Sequence, residues 1–325
     1  MSPILPGAPW LIAHRSMLGM NKPYKITLNG RDYVLWQTDR GEVFALDNVC
    51  PHMQAPLSEG WICQKRNSIA CPFHALEFDG EGRLYSDGTT DLNTVKPVAQ
   101  KLEIMVQDDL IWTYSGCEPR LPIPDLYARR FAEDYEFMGV AGEHTIRSDF
   151  LSAVQINYDY NHAKGTHQEP FKFKEIRVRD YQENGYYTTL TQDIVREDNT
   201  WGEIFRDPTL MLSPRHYSNY FEYAFPPTTS LITDLPSARV LSFFVLYPET
   251  ETRTKTFVLV YIQTARKWMI PFLKPSSLRL FDLIIEQDMG MLETLYDRQS
   301  PKIRLPNEEI MFYAEKLYRE WGGFS

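Results

Sequence analysis

Four cysteines in 325 residues (Cys50, Cys63, Cys71 and Cys117) are too few to staple a chain of this size with disulfides. Long apolar runs are also missing. The greasiest stretch, ARVLSFFVLYPETETRTKTFVLVYIQTARKW, is split by charges and threonines into two strand-like halves and falls short of the roughly 18–20 apolar residues of a membrane helix. There is no excess of positive charge. A net charge of −9 argues against a nucleic-acid partner. The opening MSPILPGAPWLIAHR lacks a basic start and carries three prolines, so no secretory signal is expected. No Gly-x-Gly-x-x-Gly fingerprint, internal repeat or low-complexity tract occurs. What is present, 43% hydrophobic and 14% aromatic residues, builds a packed globular chain. The expectation is a cytoplasmic protein acting on a small neutral or apolar molecule.

The first 115 or so residues read as β-rich. YKITLNGRDYVLWQ places Asn29-Gly30 between two alternating runs, a hairpin signal. VFALD and LIWTY read as further strands, and FDGEGRLY as a tight turn. SGCEPRLPIPDLY then spaces Pro119, Pro122 and Pro124 through an extended connector, which puts a boundary after residue 117. Beyond it the pattern mixes. SDFLSAVQINYDYNHA has cap-like Ser148 and Asp149 before helically spaced Phe150, Leu151, Val154 and Tyr158. KEIRVRDYQENGYYTTLTQDIV is a hairpin about Asn184-Gly185, and NYFEYAF, VLSFFVLY and KTFVLVYIQ are strands. SSLRLFDLIIEQDMGMLETLYDRQS and PNEEIMFYAEKLYREW are amphipathic helices.

Two groups of residues carry chemistry. The first is Cys50-x-His52, eighteen residues, then Cys71-x-x-His74, with a proline after each cysteine. A zinc finger groups its cysteines in one pair and its histidines in the other; alternation suits a two-iron, two-sulfide cluster. Cys50 and Cys71 would hold one iron and His52 and His74 the other, and neutral imidazoles in place of two thiolates raise the reduction potential. These pairs, with GEVFALDNVCPH before and FDGEGRLY after, resemble a Rieske domain of the oxygenase or ferredoxin type. The usual oxygenase pattern, Cys-Pro-His-Arg and Cys-Pro-Tyr-His-Gly-Trp, is altered at Met53, Phe73, Ala75 and Leu76.

The second group lies in NYDYNHAKGTH, where Asp159, His162 and His167 follow the spacing Asp-x-x-His-x-x-x-x-His. Non-haem Fe(II) oxygenases use two histidines and one carboxylate on one face of the metal. His162 and His167 can supply both nitrogens if the helix loosens near Gly165, and the C-terminal helix offers Asp282, Glu286, Asp288, Glu293 and Asp297 for the third place. Together the two motifs are similar to the terminal oxygenase (alpha) subunits of Rieske non-haem iron oxygenases over nearly the whole chain.

The resemblance implies an α+β fold: an all-β Rieske [2Fe-2S] domain over 1–117, then a catalytic domain over 118–325 with an antiparallel sheet and helices of the helix-grip (START-like) kind. It implies Asp288, in EQD, as the carboxylate ligand of a mononuclear Fe(II), and Gln155 as an amide near the substrate. Asp159 would be no ligand; it would link His162 to His74 of a neighbouring chain in a homotrimer. Electrons would come from NAD(P)H through a separate ferredoxin or reductase, since Cys63 and Cys117 are too few for a plant-type cluster. The implied activity is O2-dependent monooxygenation, by hydroxylation or demethylation, of an apolar or aromatic molecule. Ring cis-dihydroxylation is an alternative, as is a Rieske electron-transfer protein with a vestigial iron site.

Overall fold

The computed structural model describes residues 3–85, 96–159, 161–206, 214–226, 228–296 and 301–321. They pack as two compact units: Met1–Pro122 with Tyr247–Glu251, and Ile123–Leu246 with Thr252–Ser325. The division expected after residue 117 thus moves over the proline-rich connector. Arg120 N donates to Gly7 O at 2.8 Å and Tyr114 Oη to Leu121 O at 2.9 Å, so residues 118–122 stay with the first unit.

That unit consists of three small antiparallel sheets. The first orders β1 (Trp10–His14), β9 (Leu110–Thr113) and β8 (Met105–Gln107); the second β2 (Tyr24–Leu28), β3 (Arg31–Gln37) and β4 (Val43–Asp47); the third β5 (Trp61–Cys63), β6 (Ser68–Ala70) and β7 (Glu77–Phe78). Asn29 and Gly30 turn β2 into β3 with both φ angles positive, at 51° and 78°, the backbone of a two-residue hairpin whose twist matches its strands. Val34, Trp36, Leu46, Leu57, Ile69 and Phe78 form one core, and Cys50 and Cys71 are buried in it.

The second unit is a seven-stranded antiparallel sheet with helices, the α+β architecture expected. Its strands are β10 (Glu136–Ile146), β11 (Phe173–Asn184), β12 (Tyr187–Arg196), β13 (His216–Ala224), β14 (Thr228–Leu235), β15 (Ala238–Thr250) and β16 (Arg253–Gln263), in the order β10-β16-β15-β14-β13-β12-β11. Short helices α1 (Arg129–Ala132), α3 (Ala163–Thr166), α4 (Gln168–Phe171) and α5 (Trp201–Arg206) accompany three longer ones: α2 (Phe150–Tyr158), α6 (Ile270–Leu292) and α7 (Glu309–Glu320). α6 starts earlier than its polar Ser276-Ser277 pair suggests, because Pro271 suits a first helical turn, where its missing N–H is no loss. Met138, Ala141, Val258 and Val260 meet Phe281, Ile284 and Ile285 of α6 in one core, which sets that helix against the β10–β16 pair. No helix among the described residues is long and apolar enough to cross a membrane.

Candidate metal centres

The two cluster loops are built alike. Cys50 N donates to Ala55 O and Gln54 N to Cys50 O, at 2.9 Å each; Cys71 N donates to Leu76 O at 2.8 Å and Ala75 N to Cys71 O at 3.0 Å. Gln54 and Ala75 hold matching left-handed φ angles of 57° and 56°. Two loops with the same hydrogen bonds therefore present one thiol and one imidazole each. The thiols are buried and adjacent, and burial, with the neighbouring Cys71 thiol, pushes the Cys50 thiol above its ordinary range. The imidazoles of His52 and His74 are exposed, with ring centroids 4.7 Å apart. Thiols inside and imidazoles outside suit a two-iron cluster held at a domain surface, with the ring edges as its contact with the exterior. Two of the altered positions add apolar surface there: Met53 and Phe73 are exposed, and the Phe73 ring centroid lies 4.2 Å from that of His74.

The second centre starts from a helix that ends on time. Asp149 caps α2, its carboxylate accepting from Ser152 N at 3.0 Å. At the other end Asp159 turns extended (φ −90°, ψ 95°), which leaves its carbonyl outside the helical ladder. That carbonyl accepts the His162 Nδ1 proton. The contact expected between Asp159 and His162 thus runs through the main chain. The Asp159 carboxylate accepts instead from Asn161 N at 2.9 Å, an Asx turn.

In a continuous α-helix, residues five apart point about 140° away from each other. Here α3 makes one turn, and His167 leaves helical geometry at φ −106°, ψ 25°. The break that brings the rings together is at His167, not at Gly165, which sits inside the turn. His162 Nε2 and His167 Nε2 end 3.2 Å apart.

α6 supplies the carboxylate. Asp288 Oδ1 lies 3.3 Å from His162 Nε2 and 3.1 Å from His167 Nε2. The other acids of this helix go elsewhere. Asp282 meets His144 Nε2 at 2.9 Å, in a partly exposed cluster with Glu286, and Glu293 accepts from Arg147 N at 3.0 Å; Asp297 lies outside the described residues. Helical geometry explains the separation. Asp288 falls on the face of Leu273, Ser277, Phe281 and Ile284, which lines a cavity, whereas residue 286 is about 200° away.

Whether these residues suit a metal is decided by their protons. Nδ1 of His162 faces the Asp159 carbonyl, and Nδ1 of His167 faces Gln287 Oε1 at 2.8 Å. An oxygen acceptor at each Nδ1 places the proton there and leaves Nε2 bare. Two imidazole lone pairs and a buried carboxylate oxygen with no hydrogen-bond donor then converge on one point. Such an arrangement repels itself unless a cation sits in the middle. An octahedral cation with ligands at about 2.1 Å has adjacent donors about 3.0 Å apart, close to the three separations present. The same convergence attracts positive charge of any kind, a proton included: burial alone would lower His162, but the Asp288 carboxylate outweighs it and holds the imidazole above its ordinary value. Burial would raise Asp288, and the two imidazoles hold it below the usual carboxylate range.

Asp288, His162 and His167 border a cavity of about 320 Å³. It is walled mainly by apolar side chains, among them Phe173, Ile176, Phe221, Leu231, Val240 and Phe244. Asp159 also borders it, and Gln155 does not. The Gln155 amide donates to Glu315 on α7 at 2.8 Å, and this helix lines the cavity with Ile156 and Asn157; the amide there is that of Asn157, whose Oδ1 accepts from Thr229 Oγ1. Two residues along a helix is about 200° of rotation, so an amide near the cavity was foreseeable and its position was not. Gln287 was also missed; its only signal was its place beside Asp288.

Comparison with known proteins agrees with this geometry. Residues 9–96 match the Rieske [2Fe-2S] domain family. Aminopyrrolnitrin oxygenase PrnD of Pseudomonas fluorescens is 28% identical over 181 residues, 53% of this chain and 49% of that protein. The oxygenase component of dicamba O-demethylase from Stenotrophomonas maltophilia is 29% identical over 166 residues, covering 49% and 47%. An oxygenase component of 3-ketosteroid-9-alpha-monooxygenase from Rhodococcus rhodochrous is 39% identical over 211 residues, covering 59% and 53%. The chain spans about half the length of the curated relatives it matches. In three dimensions it is similar to dicamba monooxygenase bound to dicamba, with a TM-score of 0.76 at 18% identity over 99% of this chain and 98% of that one. Against NdmA of Pseudomonas putida CBB5 with caffeine the TM-score is 0.68 at 15% identity, over 98% and 91%.

Proposed function

We propose that this chain, which belongs to the Rieske non-haem iron oxygenase family, is a terminal oxygenase that inserts oxygen from O2 into an apolar small molecule. The observation that carries the reading is the convergence of two bare imidazole nitrogens and an unpartnered carboxylate oxygen at the end of an apolar cavity. Cys50, Cys71, His52 and His74 would hold the Rieske cluster, and His162, His167 and Asp288 the mononuclear iron. When bound, these metals would supply single-electron transfer and O2 reduction.

The chain's own residues do the rest. Gln287 and the Asp159 carbonyl keep each imidazole in the one tautomer that offers Nε2. The apolar wall orients the substrate and keeps water from the reacting end. The Asp159 carboxylate accepts from Asn161 N and has no other hydrogen-bond partner among the described residues; His74 is exposed. Both are therefore available to one another between chains, which supports a trimer in which one subunit's cluster serves the next subunit's iron. A cytoplasmic location and a separate ferredoxin or reductase fed by NAD(P)H complete the reading. Monooxygenation is favoured over ring dihydroxylation because the relatives named above include an O-demethylase and a monooxygenase component.

Iron content tests it. Anaerobically reconstituted protein should carry three irons per chain and a Rieske visible spectrum. Two irons per chain with an intact Rieske spectrum would reduce the protein to an electron carrier.

A further inference from the structure

Arg196 is the one cationic side chain lining the cavity among the described residues, and it is 6% exposed. It is the last residue of β12. Its Nε donates to Phe171 O at 3.1 Å and its Nη2 to Asn199 Oδ1 at 2.5 Å, which leaves Nη1 without an acceptor among the described residues. No carboxylate among them lies within ion-pair distance. Burial accordingly pushes the guanidinium below its ordinary range, yet arginine keeps its charge in proteins. The Glu203 carboxylate acts on it only from beyond ion-pair distance and is itself bound by Lys172 Nζ at 2.7 Å; a buried charge without a direct counter-ion is costly to a fold, and here it sits in the wall of a ligand cavity.

Its neighbours also offer donors. Strand alternation puts Gln192 and Arg196 on the same face of β12, and both line the cavity. Gln192 lies directly across from Asn219 on β13, and Asn219 across from Thr233 on β14, so a polar band crosses three strands. Asn219 Oδ1 is taken by Thr233 Oγ1 at 2.8 Å, so what Asn219 has left to offer is its N–H2 group. Tyr217 lies diagonally beside Arg196; its hydroxyl is pushed up to about 12 by burial and so keeps its proton to donate. Neither acid that borders the cavity, Asp159 or Asp288, pairs with Arg196; Asp288 meets His162 and His167 instead.

We infer that the substrate of this site carries a carboxylate, bound by Arg196 and Tyr217, with an apolar body reaching from β12 toward His162, His167 and Asp288. The inference rests on the oxygenase reading and narrows it to a substrate class: aromatic or alicyclic carboxylic acids. The guanidinium gives such an acid a fixed end. Arg196 Nε is held by the carbonyl of Phe171, whose ring centroid is 6.1 Å from that of His167, so the anchored end and the metal-facing end are tied to one short segment. A neutral molecule of the same shape would leave the guanidinium buried and unpaired.

The test is binding to the full chain, loaded with its cluster but kept free of mononuclear iron, by calorimetry and thermal shift. The probes are benzoate, 4-methoxybenzoate and cyclohexanecarboxylate, each against its methyl ester. At least one acid should bind roughly ten- to a hundredfold tighter than its ester. Arg196→Gln should remove that preference and leave ester affinity within about threefold; Arg196→Lys should keep part of it. Equal binding of acids and esters, no binding of any acid, or an unchanged preference in Arg196→Gln would overturn the inference. Should Arg196→Gln fail to fold, the wild-type acid-to-ester ratio and the Arg196→Lys variant decide alone. Iron content is measured separately: a carboxylate preference in a chain that never takes up a third iron would sink the oxygenase reading and leave this one standing.

Discussion

Asp288 occupies a position on α6 where the helix otherwise faces the cavity with apolar or small side chains, and it accepts no hydrogen bond on Oδ1. A group so placed is costly to the empty fold and useful to a metal-loaded one. Asp288→Ala should therefore reduce iron from three to two per chain without changing the Rieske absorption, and the apoprotein should be no less stable than the parent in a thermal melt. Gln287 makes a second test at this scale. Gln287→Leu leaves the His167 Nδ1 proton without its acceptor, frees the ring to turn, and should weaken iron retention about 10–100-fold. Chelator competition measures it, with Gln287→Glu expected to restore most of the retention because a carboxylate accepts the same proton.

Element against element, the position of Asp288 depends on how α6 packs on β10. Gly142 of β10 holds φ at +58°, and a Cβ there would meet Ile285 Cγ1 at 2.6 Å. Ile285 is three residues, close to one turn, before Asp288. Gly142→Ala should cost about 1–3 kcal/mol from backbone strain and overpacking, lower the melting midpoint by several degrees, and reduce iron loading by displacing the helix. Pairing it with Ile285→Ala should return part of the iron, since the clash is relieved, while the midpoint stays low. The shorter elements were easier to foresee. Asn29-Gly30 and the Asp149 cap are local decisions, made by residues within a few positions of one another. β10 and β14 were not foreseen: EFMGVAGEHTI is interrupted by two glycines and TTSLITDL by threonines, so neither shows clean alternation, and each is a strand because its partners hold it.

Across the whole molecule the exposed His52 and His74 edges and the open Asp159 oxygen make a subunit-exchange experiment decisive for the trimer reading. Asp288→Ala chains keep a cluster and lose the iron; His74→Ala chains lose the cluster and keep the iron. Neither alone should turn over. Mixed trimers reassembled from both should recover part of the O2-dependent reoxidation of reduced cluster, because a working cluster then faces a working iron across an interface. No recovery in verified mixed trimers would mean that electrons stay within one chain, and Asp159 would lose the role proposed for it.

Sequence alone determined the chemistry that is written as residue identity and short spacing: two Cys-His pairs, an acid and two histidines, the hairpin and the helix cap. These depend on atoms a few bonds or one turn apart. Tertiary structure decided everything that depends on which face meets which. It brought Asp288, and not the neighbouring acids of α6, beside His162 and His167, gave the cavity Asn157 in place of Gln155, turned Gln287 onto His167, and set Arg196 in the cavity wall without an ion-pair partner among the described residues. Those outcomes follow from helix rotation and strand register, which are set by partners far away in the chain and so leave no local mark in it.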